Sequence, residues 1–277
     1  MGPRLRAGRN RWLVACAVVV IAGGAIVGAV LSRPSGDDAD AAVTPSKVAP
    51  ITAGGVAPSD APHVNASLAP GEAILTSTVD ALDVYDAPDG TVVQKLPRFT
   101  YYASDLTLMA IAKNGADGAT WYQVSLPAKP NGQTGWVRGA DVTVSSTNTV
   151  VHVYLAQHEL ELLVGDDVAM TAAVAVGDPS TPTPLGTFSI TDPLDFTANT
   201  TGVYGAYALG LSGYSEALDT FDGGPPQIAI HGTNQPKLIG ESISNGCIRM
   251  TNDSVLDLAS RVGLGTPVII SASRLDH

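Results

Sequence analysis

Cysteine is almost missing from this chain, which holds two, Cys16 and Cys247, in 277 residues. Cys16 lies in an apolar run, so no disulfide framework is available to the rest, whose stability must come from burial. Positive charge is also short, at 15 Lys and Arg against 26 Asp and Glu, for a net charge of −11. Five of the basic residues and none of the acidic ones fall in the first 33 positions, leaving 10 basic against 26 acidic beyond them. Phosphate contacts need Lys and Arg, so this balance excludes nucleic acid as a partner. His63, His152, His158 and His277 form no H-x-x-x-H or Cys/His pattern. No metal site and no cofactor is expected.

One long apolar run is present. Trp12 to Leu31 is free of charge and follows Arg4, Arg6, Arg9 and Arg11. Some 20 such residues are about enough to cross a bilayer as a helix, and the preceding arginines place the N-terminus in the cytoplasm. Residues 1–33 are therefore expected to be a basic tip and a single-pass membrane anchor, with the rest extracytoplasmic. A cleavable signal peptide is the alternative, left open by the small residues Val27-Gly28-Ala29. Cys16 is expected to be a membrane-facing side chain. Residues 34–71 hold six prolines among Ala, Gly, Ser, Thr and Asp without periodicity, which reads as a linker.

From 72 to 148 the composition changes to short β-branched and aromatic runs separated by Pro-Asp-Gly, Asn-Gly-Ala-Asp-Gly and Pro-Asn-Gly turns. This spacing predicts a small all-β unit. W-Y-Q-V-S-L-P followed by N-G-Q-T-G-W-V resembles bacterial SH3-like domains. Trp121 and Trp136 either line a groove for wall peptide or glycan, or fill the core. The unit is expected to position the rest of the protein rather than supply chemistry.

Residues 149–272 form the second unit. Val151, Val153 and Leu155 alternate, as do Leu160 and Leu162, with turns at Gln157-His158-Glu159 and Gly165-Asp166-Asp167. Consecutive hairpins predict an antiparallel sheet. His152 and His158 read as surface or strand positions. In Thr181-Pro182-Thr183-Pro184-Leu185-Gly186 the prolines end one strand and Gly186 lets the next begin. The segment between Pro193 and Pro226 reads as a long binding loop or lid, with Tyr207 as its substrate-facing residue. Gly265 to Ile270 closes the sheet.

The chemistry concentrates in Gln227 to Met250, QIAIHGTNQPKLIGESISNGCIRM. Gln-Ile-Ala-Ile-His alternates like a buried strand and puts His231 at its end. Ser244-Asn245-Gly246-Cys247 reads as a tight turn, and TNDSVLDLASRV after it has a helical apolar period with Asp253 or Ser254 as cap. An ordinary thiol is only a few per cent thiolate at neutral pH, so Cys247 needs an adjacent base, for which His231 is the candidate. Backbone N–H groups of Asn245, Gly246 and Cys247 would form an oxyanion hole. Together these parts spell acyl transfer.

HGTN followed by S-N-G-C-I-R-M resembles the signature of the L,D-transpeptidases of bacterial peptidoglycan, the YkuD-type catalytic domain, over about Val150 to Ile270. Thr181 to Phe188 matches that family's T-P-x-G-x-[FY] stretch. The resemblance implies Cys247 as nucleophile, His231 as general base and acid, and the Gly232 carbonyl as orienter of the imidazole. Ser244 and Arg249 carry over as motif positions. Several members have histidine where this chain has Asn245, so that side chain is not required as a second base. The implied fold is mainly β, an antiparallel sandwich or barrel with a short helix after the nucleophile. The implied reaction is attack on a stem tetrapeptide, loss of D-Ala and aminolysis by a second stem, giving 3-3 cross-links in the wall. Peptidoglycan stem peptides are then acyl donor and acceptor, and carbapenem β-lactams the expected inhibitors. A cysteine hydrolase of the L,D-carboxypeptidase kind and a non-catalytic wall-binding protein remain as alternatives.

Overall fold

The computed structural model describes residues 65–116, 119–221 and 223–274, most of them strand and turn. The basic tip, the Trp12 to Leu31 span, Cys16 and the linker up to residue 64 lie outside these residues. Among the described residues no helix is long and apolar enough to cross a membrane.

Eight strands make the first sheet: β1 (Asn65–Ser67), β2 (Ile74–Ser77), β3 (Ala81–Tyr85), β4 (Val92–Pro97), β5 (Thr107–Ala116), β6 (Ala119–Ser125), β7 (Thr134–Arg138) and β8 (Val142–Ser145). Their order is β4-β3-β7-β6-β5-β2-β8, with β1 on β5. Side chains alternate across a strand, so one set turns inward, and Leu75, Leu82, Val84, Leu108, Val124 and Val137 form the core. Trp121 and Trp136 join Tyr85 in a second buried cluster. The Trp121 ring meets Tyr85 edge-on at 5.0 Å, and the Arg138 guanidinium lies over both rings. The two tryptophans are thus interior side chains, Trp121 only 1% exposed.

The second sheet contains β9 (Thr149–Tyr154), β10 (Glu159–Val164), β11 (Asp167–Ala173), β13 (Gly186–Asp195), β14 (Tyr207–Tyr214), β15 (Gln227–His231), β17 (Ile248–Arg249) and β18 (Pro267–Ser271). A separate short pair joins β12 (Val176–Gly177) to β16 (Ser242–Ser244). The order of the large sheet is β11-β10-β9-β18-β13-β14-β15-β17. The expected hairpins β9-β10-β11 and β13-β14-β15 are antiparallel, but the sheet is mixed. Two of its joints are parallel, β18 on β9 and β17 on β15. Both follow long connections that return to the starting end of the sheet, as parallel pairing requires.

Helix α1 (Asn252–Ala259) starts directly after β17. Its cap is Thr251, whose hydroxyl accepts from the Ser254 amide at 3.2 Å, in place of the expected Asp253 or Ser254. Val255 and Leu258, one turn apart, bury against Ile228, Ile230, Ile248 and Met250. The long loop expected between Pro193 and Pro226 is also corrected, because β14 runs through its middle as a buried strand of the large sheet. Both sheets fall within one compact unit.

Candidate active site

Strand alternation decides which side chains can meet. In β15, Ile228 and Ile230 enter the core, so Ala229 and His231 face the other way. In and around β17, Ile248 and Met250 enter the core, so Cys247 and Arg249 face away with them. The parallel register pairs Ile230 with Ile248 and His231 with Arg249, which sets Cys247 level with Ala229. Thiol and imidazole are therefore diagonal neighbours on one face of the sheet.

The Ser244–Cys247 turn is held from two sides. Gly246 has φ +109, and a Cβ there would come within 2.9 Å of the Ile228 side chain, so glycine is needed. Ser244 spans the turn, its hydroxyl donating to the Cys247 carbonyl and accepting from the Gly246 amide at 3.2 Å. That amide is consequently committed inside the turn, and the expectation that it serves an oxyanion is corrected. The Thr181 hydroxyl donates to the Ser244 carbonyl at 3.0 Å. Thr183 accepts from the Gly177 amide and donates to the Gly246 carbonyl, both at 2.9 Å. The Thr-Pro-Thr-Pro stretch is a brace for the nucleophile turn.

His231 is 3% exposed. Its Nδ1 lies 2.6 Å from the Gly232 carbonyl. A carbonyl only accepts, so Nδ1 carries the proton and Nε2 keeps its lone pair. Burial pushes the imidazole down to about 4, with the Gly232 bond opposing and the Arg249 charge adding to the fall. Burial pushes the Cys247 thiol up, against the Ala229 amide that hydrogen-bonds the sulfur and the charge of Arg249. Both directions disfavour an ion pair, so the resting site holds a neutral thiol and a neutral imidazole. Arg249 itself is half-buried, and its Nε finds no hydrogen-bond partner among the described residues.

Three residues that the sequence did not single out complete the surroundings. Tyr204 meets the His231 ring edge-on at 5.0 Å and stacks on Phe196. Asn252 Oδ1 accepts from the amides of Ala206 and Thr233, at 3.1 and 3.0 Å, tying the Tyr204 loop to the turn after His231. A Cβ on Gly232 would fall 2.3 Å from that oxygen, which is why glycine follows the histidine. The third is Tyr102, from the first sheet. With Leu194, Phe196, Tyr204, Ala208, Gly210, Gln227 and Ala229 it lines a cleft of about 90 Å³ that opens on Cys247.

Tyr207, the expected substrate-facing residue, is a correction. Ala208 and Gly210 are the β14 residues that line the cleft, so Tyr207 lies in the opposite phase and packs against the core. Cys247, His231, Gly232, Asn245, Gly246, Ser244 and Arg249 do gather at one end of β15 and β17, with Asn245 exposed at the turn. Among the described residues no cluster of His, Cys, Asp or Glu has the makings of a metal site.

The profile of the YkuD L,D-transpeptidase catalytic domain matches residues 148–270. YkuD of Bacillus subtilis is 35% identical over 152 residues, which cover 53% of this chain and 84% of that protein. YkuD of Bacillus licheniformis is 36% identical over 172 residues, covering 60% and 93%. Among solved structures, L,D-transpeptidase 3 from Mycobacterium tuberculosis, in complex with a faropenem-derived adduct, is 14% identical with a TM-score of 0.35, covering 55% of this chain and 91% of that one.

Proposed function

Since the chain belongs to the YkuD-type L,D-transpeptidase family, we propose that it transfers an acyl group between peptidoglycan stem peptides through a thioester on Cys247. The observation that carries this reading is the shared face of β15 and β17, with thiol, imidazole and cleft together. Nε2 of His231 takes the thiol proton as sulfur attacks the donor carbonyl, and returns it to the departing D-alanine amine. The tetrahedral oxyanion is met by the N–H groups of Cys247 and Asn245. The amine of a second stem then loses a proton to the same imidazole and displaces the thiol. With the bond made between third residues, the product is a 3-3 cross-link.

Nδ1–H stays on the Gly232 carbonyl throughout and gains strength when the ring becomes cationic. A burial-lowered imidazole and a burial-raised thiol favour the uncharged form of both groups. Carbapenem β-lactams, whose ring carbonyl is a strained acyl donor, fit the same nucleophile as inhibitors. The Trp12 to Leu31 anchor is read as placing the catalytic unit outside the cell membrane, facing the wall, with the SH3-like reading of the first sheet as its positioning unit.

Purified protein incubated with a disaccharide-tetrapeptide should show, by mass spectrometry, a tripeptide adduct on Cys247 and then a tripeptide–tetrapeptide dimer. Cys247→Ser should show neither. A dimer from Cys247→Ser, or an adduct mapped to another residue, would overturn the nucleophile. Adduct that is discharged only to water would favour the hydrolase instead.

A further inference from the structure

The cleft is not built by the second sheet alone. The connection from β4 to β5 folds into a tight turn, with the Thr100 amide on the Ser104 carbonyl at 2.9 Å and the Ala103 amide on the Thr100 carbonyl at 3.0 Å. Ala103 sits at φ +65 to close it. Tyr101 and Tyr102 stand at the tip, their rings edge to face at 5.0 Å. Below the tip the Thr100 hydroxyl donates to Asp192, a carboxylate on β13 that is 1% exposed. Asp192 also accepts from the Thr191 hydroxyl at 2.7 Å and from Gln227 Nε2 at 3.1 Å. Gln227 is itself a cleft residue. A second clamp lies elsewhere on the first sheet, where Asn131 exchanges bonds with the Tyr214 backbone at 2.8 and 2.9 Å and its amide reaches Glu216 at 2.8 Å. The Thr100 bond seats this turn on β13, and the Asn131 bonds tie the β6–β7 connection to the end of β14.

On these observations, and resting on the transpeptidase reading above, we propose that Tyr102 is a donor-specificity residue of the active site, its ring forming one wall of the cleft that Tyr204 also lines and limiting the width of the donor group admitted beside Cys247. Tyr102 and Cys247 line the same cleft of about 90 Å³, so a donor side chain seated beside the sulfur meets this ring. The remaining lining, Leu194, Phe196, Ala208 and Ala229, offers apolar surface and suits the aliphatic part of such a side chain. Tyr102 is 42% exposed and makes no core of its own, so its ring is there to be touched from outside. Burial, with Asp192, Tyr101 and Cys247 nearby, pushes its phenol up, so the wall is uncharged at working pH.

The test uses the full chain with Tyr102→Ala, Tyr102→Phe and Thr100→Val. Tyr102→Ala should raise KM for the tetrapeptide donor about tenfold with kcat within about threefold, Tyr102→Phe should restore it, and Thr100→Val should fall between. A second measurement does not depend on the transpeptidase reading. The rate of Cys247 alkylation by a bulky aryl maleimide, divided by the rate with iodoacetamide, should rise several-fold in Tyr102→Ala because the wall is gone. An unchanged ratio would overturn the assignment, as would an unchanged KM or parallel losses with both reagents. If the ratio rises while no variant, wild type included, acts on the stem peptide, the wall stands and the transpeptidase reading falls.

Discussion

His231 Nδ1–H donates a hydrogen bond to the carbonyl of Gly232, the residue that follows it, at 2.6 Å. That single bond fixes which nitrogen faces the thiol. It also makes the two catalytic side chains one device, so removing either removes the device. Cys247→Ser and His231→Ala should each bring turnover to background, and the double variant should be no worse than about twofold below either one. Steady-state rates on a stem tetrapeptide decide the matter. Additive losses would mean that the residues act separately.

The pH profile should show a neutral pair. Acylation needs an unprotonated imidazole, so its acid limb should follow His231 at about 4 instead of near 6.5. Thiolate appears only above the ordinary thiol range, because burial pushes Cys247 up. Iodoacetamide alkylation should therefore keep rising beyond pH 9, without the plateau near neutrality that an ion pair gives. Arg249→Gln should move both limbs upward, since its charge lowers both groups.

The same shift carries a stability consequence. The folded imidazole lies at about 4 and the unfolded one near 6.5, so below 6.5 the unfolded chain binds the proton first. Stability tied to His231 is complete above 6.5, falls as the pH drops towards 4, and amounts to roughly 3 kcal/mol over that window. Urea unfolding at pH 7 and pH 4.5 should show this loss in the wild type and a correspondingly smaller one in His231→Gln.

Asn252 ties two loops through one oxygen. Asn252→Ala should cost about 1–3 kcal/mol for each amide left unpaired, and acylation should slow as the Tyr204 loop loosens. Gly232→Ala should cost roughly 1–3 kcal/mol through the clash with that oxygen. Calorimetry of both variants and of the double variant tests whether they share one contact. In Gly232→Ala with Asn252→Ala, the glycine penalty should shrink without vanishing, because the Ala206 amide nitrogen and the Tyr204 carbonyl still lie 3.0 and 3.2 Å from the added Cβ.

Thr183→Val removes the hydroxyl that links Gly177 to Gly246 while keeping the side-chain shape. A loss of about 1–3 kcal/mol is expected, with Thr183→Ser near wild type. Carbapenem acylation, followed as a mass increase on Cys247, should slow in Thr183→Val. Asn245→Ala should react normally, since only the backbone at that position is asked to contribute.

Much of this site was legible locally. Period-two alternation in Gln227–His231 puts His231 at the end of a buried strand, and the small residues before Cys247 mark a turn. What failed did so for physical reasons. The expectation for Tyr207 fails because the start of β14 is not marked in YGAYALG, and an error of one residue reverses the face of a strand. The parallel joints were hidden because hairpin spacing reports only neighbours along the chain. Asn252 looked like part of a helix start, while its side chain acts between Ala206 and Thr233. Tyr102 left no local trace, since the Thr100 to Asp192 bond that seats its turn joins positions 92 apart. The first sheet, expected only to position the enzyme, lends a side chain to the cleft.

The parallel joint of β15 and β17 has a consequence for how this motif can change over evolutionary time. Ladder bonds, not the intervening chain, set the thiol against the imidazole. Between the two, residues 234–238 are exposed at the surface, where added length carries only a small entropic penalty. The spacing from histidine to cysteine is therefore free to drift among descendants of this chain. The glycines after His231 and before Cys247, each hemmed in by a neighbour's atoms, are not.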